Sequence, residues 1–189
     1  MKSLSLILIT FICLQSFGQT LLSYDSVLIF DGKPKDKLYS LSKQFLIQAF
    51  KDSKEVIQLD DKEGGIIIAK GNFSYQQSNA KFPCGRLSGK GIVEFTLKIQ
   101  IKDGKIKVTL SDFKHITEPI LLDGNTYPNL NVGVIYKDKS YTSADEDGPN
   151  DKCREKIYKD ILAQSLAIYT GLLTQIGVEF SKDIKGSDW

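Results

Sequence analysis

A chain of 189 residues with 41% hydrophobic and 25% charged side chains is long enough for one ordinary domain and has the balance of a globular protein. Lys and Arg total 25 against 23 for Asp and Glu, and a net charge of +2 supplies no field that would draw nucleic acid or anionic lipid. Nucleic acid is therefore excluded as the expected partner. At the N-terminus, Lys2, the apolar run Leu4 to Leu14 and the small residues of Ser16-Phe17-Gly18 have the layout of a secretory signal over residues 1–18. The run is about 11 residues, short of the roughly 20 that span a bilayer, and no later segment is expected to come close, so no transmembrane segment is expected after cleavage. Phe11 and Ile12 stand where a lipobox needs small residues, which sets aside lipid attachment at Cys13.

Ser26 to Phe30 reads as a strand closed by a turn at Asp31-Gly32. A helix follows, opened by Pro34 with Asp36 in its first turn, and Leu38, Leu41, Phe45 and Ala49 recur at helical spacing. Val56 to Leu59 is a short extended segment, Asp60 to Gly65 a charged turn, and Ile66 to Phe73 a strand rich in β-branched residues. From Ser74 to Gly89 the periodicity vanishes into a loop that contains Cys84.

The stretch GIVEFTLKIQIKDGKIKVTL, residues 91–110, alternates strictly. Asp103-Gly104 is the preferred pair for a two-residue type I′ hairpin turn. Counting outward from it places Ile101 opposite Ile106, Ile99 opposite Val108 and Leu97 opposite Leu110, with Gln100 meeting Lys107 and Thr96 meeting Ser111 on the other side. A slip of one residue would put every apolar side chain in water, so this register is strongly specified. Phe113 breaks the parity, and a bulge near Ser111-Asp112 repairs it. His115 to Asp151 reads as mostly loop, with NVGVIY a candidate edge strand. Lys152 to Gln175 carries Ile157, Ile161, Ile168 and Leu172 on one helical face, and Gly177 is expected to end that helix.

The predicted class is α+β: a single antiparallel sheet of four to six strands with two helices packed on one face and the other face wet. The stretches from Asp31 to Phe73 and from Phe95 to Phe113 resemble the family called domain of unknown function 4468, which is described as having a TATA-binding-protein-like fold. The similarity lies in Leu38-Tyr39 opening the helix, Phe50-Lys51-Asp52-Ser53 closing it, the acidic step into Ile66 to Gly71, and Lys102-Asp103-Gly104 before a strand ending in Asp112-Phe113. The resemblance implies an exported Bacteroidota envelope protein of the periplasm or cell envelope of a Gram-negative bacterium, or a secreted one, and supplies no functional residues to carry over. The organisation that follows is a signal over 1–18, the resembling domain over 26–116, a loop-rich segment over 117–151, a C-terminal helix over 152–176 and a tail over 177–189.

Among candidate sites, His115 is the one histidine that a general base could use, but no nucleophile motif accompanies it, and the reading is a solvated or hydrogen-bonded surface histidine. The acidic run Asp145, Glu146, Asp147, Asn150 and Asp151 lacks EF-hand spacing and reads as a solvated loop. Gly85, Gly89 and Gly91 meet no phosphate-loop spacing. No metal, cofactor or catalytic residue is expected. Cys84 and Cys153 can pair in an oxidising compartment, closing a loop of about 70 residues worth roughly 4 kcal/mol, or remain two free thiols. The functional expectation is a non-catalytic binding module that takes an envelope protein or glycan through its open sheet face, at Lys98, Gln100, Lys107 and Thr109, or through the cysteine-bearing loop. The alternatives are a hydrolase using His115 and a carrier with a small apolar ligand between helices and sheet.

Overall fold

The computed structural model describes residues 20–50, 56–76, 89–122, 124–127, 129–137 and 151–182. The signal segment, Cys84, the acidic run before Asp151 and residues 183–189 lie outside them. The strands are β1 (Tyr24–Ile29), β2 (Ile57–Asp61), β3 (Ile66–Tyr75), β4 (Gly91–Lys102), β5 (Lys105–Thr117), β6 (Ile120–Leu122), β7 (Asn125–Tyr127) and β8 (Gly133–Val134). The helices are α1 (Lys35–Ala49) and α2 (Asp151–Lys182). The main sheet is antiparallel in the order β1-β5-β4-β3-β2, with β8 beside β5, while β6 and β7 pair separately. Both helices lie on one face, giving the α+β class read from the pattern.

The β4–β5 register is the expected one at every pair: Ile101 with Ile106, Ile99 with Val108, Leu97 with Leu110, Gln100 with Lys107 and Thr96 with Ser111. The bulge also falls where parity requires it. Asp112 and Phe113 together oppose Phe95, and Asp112 takes a φ of 56°, the one positive φ among the described non-glycine residues. The extra residue turns Phe113 and His115 inward, so β5 stays apolar on the covered side along its length.

The hairpin turn itself departs from the type I′ expectation, because Gly104 has a φ of 70° while Asp103 does not enter the positive region. Tertiary bonds decide this. Asp103 Oδ1 accepts the Lys35 N–H at 2.7 Å, Phe30 N–H donates to the Gly104 carbonyl at 2.7 Å, and Gly104 N–H donates to the Lys33 carbonyl at 2.9 Å. Pro34, the N-cap, makes no side-chain bond, so Asp103 caps α1 from the hairpin and brings negative charge to its positive end.

Phe45, Leu38 and Leu46 of α1 and Ile157, Ile161, Tyr169 and Ile176 of α2 close over Leu97, Ile99, Val108 and Leu110. Tyr169 stacks on Tyr24 at 5.3 Å, and Tyr24 meets the edge of Phe113 at 5.9 Å. The expected helix end at Gly177 is corrected: α2 continues to Lys182, so 177–182 is helix and not tail. Phe180 explains it, lying 1% exposed with its ring 5.2 Å from that of Phe30, while Lys33 Nζ donates to its carbonyl at 2.6 Å. Burying a phenylalanine contributes about 1.5–3 kcal/mol, more than the roughly 1 kcal/mol that a helical glycine costs.

Lys152–Ser181 is long and apolar enough to cross a membrane by length and composition, contrary to the expectation that no later segment approaches that limit. Its inward stripe from Ile157 to Phe180 is instead packed on the sheet and on α1. The charged turn before β3 is also shorter than expected, since β2 runs through Asp61 and leaves Lys62 to Gly65 as the turn.

Candidate functional site

Alternation sets every second residue of the sheet on the face opposite the helices. Across the strands, register assembles rows on that open face. Asp25, Thr109, Lys98, Ile68 and Leu59 form one row, and Val27, Lys107, Gln100, Ile66 and Asp61 the next. Ile29, Lys105 and Lys102 form a third, at the hairpin end. The four residues singled out by alternation, Lys98, Gln100, Lys107 and Thr109, are thus adjacent, each half-exposed, and no described helix lies over them.

Two shallow grooves indent this face. One, of about 280 Å³, lies at the hairpin end among Val27, Ile66, Gln100, Lys102, Lys105 and Lys107. The other, of about 380 Å³, lies beside the bulge among Lys70, Asn72, Glu94, Thr96, Asp112 and Lys114. Their chemistry differs. The bulge groove balances two lysines with two carboxylates, whereas the hairpin groove is lined by three lysines and no acid. Lys107 Nζ reaches Asp25 Oδ2 at 3.1 Å, an exposed pair worth about 0–1 kcal/mol, and Asp61 Oδ1 accepts the Gly64 N–H at 2.8 Å.

The sequence reading missed the aliphatic margins of this face. Val27 is 52% exposed and Ile29 60%, both on β1, and Leu59 is exposed on β2. Nothing local could place them, because the β1–β5 and β2–β3 registers decide which of their side chains point outward. Lys102 and Lys105 were readable from the turn count but not singled out.

His115 departs from the surface position expected of it. It is not a surface residue: β5 runs through it to Thr117, and its side chain is 0% exposed. Val132 N–H donates to Nδ1 at 3.3 Å, which leaves the proton on Nε2 to be donated to the Gly89 carbonyl at 2.9 Å. Tyr75 meets the ring edge-on at 5.4 Å. Burial lowers the pKa of the ring below its ordinary 6.5, opposed by the Gly89 carbonyl, which favours the charged form. Both nitrogens are occupied by backbone, so the ring holds the Gly89 and Val132 segments against β5 and has no free lone pair for a substrate proton.

Two further polar clusters are structural. Tyr39 donates to Asp60 Oδ1 while Lys43 Nζ reaches Asp60 Oδ2 at 2.5 Å, tying α1 to β2. The Lys43 bond, then the Tyr39 bond, hold the Asp60 carboxyl below the usual carboxylate range, and burial, then Asp60, push the Tyr39 hydroxyl up. Tyr75 donates to Asp160 at 3.2 Å, and burial first, then that carboxylate, raise its hydroxyl as well. Among the described residues no group of three or more histidine, cysteine or acidic side chains is placed to hold a metal. Cys153 is buried, and Cys84 is outside the described residues.

Residues 24–115 match the family described as domain of unknown function (DUF4468) with TBP-like fold. Two solved structures are similar in fold. A TBP-like protein from Parabacteroides distasonis aligns with a TM-score of 0.54 at 13% identity, covering 85% of this chain and 93% of its own. A DUF4468 family protein from Bacteroides ovatus gives a TM-score of 0.52 at 12% identity, covering 85% and 86%. No curated protein matches the chain.

Proposed function

From the match of residues 24–115 to the DUF4468 family with its TBP-like fold, we propose an exported, non-catalytic binding module of the cell envelope that takes a protein or glycan on its open sheet face. Lys98, Gln100, Lys107 and Thr109 form the centre of that face. One observation carries the reading: both helices cover one side of the sheet and leave these residues uncovered, with the two grooves on the same side. A module built this way needs no reacting group, only a flat array of donors and acceptors held by strands whose register cannot slip.

Export is supported by the leader-like composition of residues 1–18 and by the Bacteroides and Parabacteroides sources of the similar structures. A bond between Cys84 and the buried Cys153 belongs to the same proposal, since an oxidising compartment would allow it. The hydrolase reading loses its base to the two backbone bonds on His115. The carrier reading is not favoured either, because Leu38, Leu46, Leu97, Ile106 and Ile157 fill the space between helices and sheet at 0–1% exposure.

Co-purification of envelope partners with the wild-type chain and with the Lys98→Glu/Lys107→Glu variant tests the proposal. A partner retained by the first and lost by the second is expected; capture unchanged by the variant overturns it.

A further inference from the structure

The open face is chemically divided, and the division names its partner. At the hairpin end, Lys98, Lys102, Lys105 and Lys107 run across β4 and β5 as a cationic strip. Val27 and Ile29 flank it on β1, and Ile66 and Ile68 flank it on β3. Of the acids bordering the strip, Asp25 pairs with Lys107, Asp61 accepts the Gly64 N–H and Asp103 accepts the Lys35 N–H, which leaves Lys98, Lys102 and Lys105 to carry the strip's positive charge. Beyond the bulge the charges cancel, with Lys70 and Lys114 against Glu94 and Asp112.

Resting on the proposed binding role of this face, we propose that the strip is the docking site for an extended acidic polypeptide segment that presents a carboxylate at every second residue. Charge complementarity carries the choice. Lys98 and Lys102 lie four residues apart on β4, about 13 Å, with Lys107 in the row between them, and an extended segment presents like side chains on one face every two residues, about 6.8 Å, so successive carboxylates reach Lys98, Lys107 and Lys102 in turn. A glycan is disfavoured because the described residues of this face include no aromatic ring on which a sugar could stack. An enclosed drug-sized ligand is disfavoured because the hairpin groove, at about 280 Å³, is small for one and lies open on the sheet face.

The experiment uses the purified protein and three fluorescent ten-residue probes: alternating Glu and Val, alternating Lys and Val, and alternating Gln and Val. Vesicles of phosphatidylglycerol form a fourth arm. The Glu-Val peptide is expected to bind, to weaken as salt is raised, and to shift the amide resonances of Lys98, Lys102, Lys105 and Lys107. Lys102→Glu/Lys105→Glu should weaken it at least tenfold, and Lys70→Glu/Lys114→Glu less than twofold. Equal binding of the Gln-Val or Lys-Val peptide, equal loss in both variants, or vesicle binding that disappears with Lys102→Glu/Lys105→Glu overturns the inference. A photo-crosslinker at Thr109 separates the two claims. An envelope partner captured equally by wild type and Lys102→Glu/Lys105→Glu leaves the binding role standing and removes the acidic segment; no partner and no peptide binding removes both.

Discussion

The two faces of strands β4 and β5 are built from alternate residues of the same chain and obey different rules. Inward, Val93, Phe95, Leu97, Ile99 and Ile101 meet Ile106, Val108, Leu110, Phe113 and His115 in a layer that is almost wholly withdrawn from water. Outward, the neighbouring residues are polar and half-exposed, and each contributes little to stability. Packing density makes the inner side intolerant of change, whereas the outer side is free to carry recognition.

The sharpest way to break that contrast is to empty the inner side. Phe113→Ala should cost about 3–5 kcal/mol in urea unfolding, because the ring is fully buried against Tyr24 and Phe95, while Thr109→Ala, four residues away, should stay within about 0.5 kcal/mol. Comparable losses for the two would mean that the sheet is not one-sided.

His115 tests the polar part of the covered side. His115→Ala should cost about 2–3 kcal/mol, since it leaves the Gly89 carbonyl and the Val132 N–H without their partner. The lowered pKa gives a signed pH dependence. The folded ring resists protonation while the unfolded one accepts a proton near 6.5, so the His115 contribution is fully present above about 6.5 and is lost as pH falls from there toward the depressed folded value. Urea midpoints measured from pH 8 to pH 5 should show that decline in the wild type and lack it in His115→Gln.

Gly177 sharpens the comparison on α2. An added Cβ there meets nothing within 4 Å, so Gly177→Ala should stabilise the fold by about 0.5–1 kcal/mol in thermal unfolding. A loss of stability would restore a helix end at that glycine. The smallest effect belongs to the open face: Lys107→Ala, which removes an exposed ion pair with Asp25, should shift stability by less than about 1 kcal/mol. A shift well above that would place Lys107 among the supports of the fold.

Legibility followed the range of the forces involved. The β4–β5 register, the bulge and the outward placement of Lys98, Gln100, Lys107 and Thr109 were readable because Asp103-Gly104 joins neighbouring strands and alternation does the rest. Gly177 was misread because helix propensity is local and weak, and Phe180 found its partner in Phe30, 150 positions away. His115 was misplaced for the same reason, its partners being Gly89 and Val132 on segments that show no periodicity. The aliphatic margins were missed because β1 pairs with β5 only after a helix and three strands have intervened.

By itself, then, the amino-acid order determined the period of the two helices and of the longer strands, one hairpin register and the existence of a dry side and a wet side, since steric turn preferences and two-residue alternation act between near neighbours. Tertiary structure decided which strand became the edge, where the long helix stops and what the lone imidazole bonds to. Those outcomes depend on burial and hydrogen bonding between segments that meet only when the chain closes on itself, and no short stretch encodes such meetings.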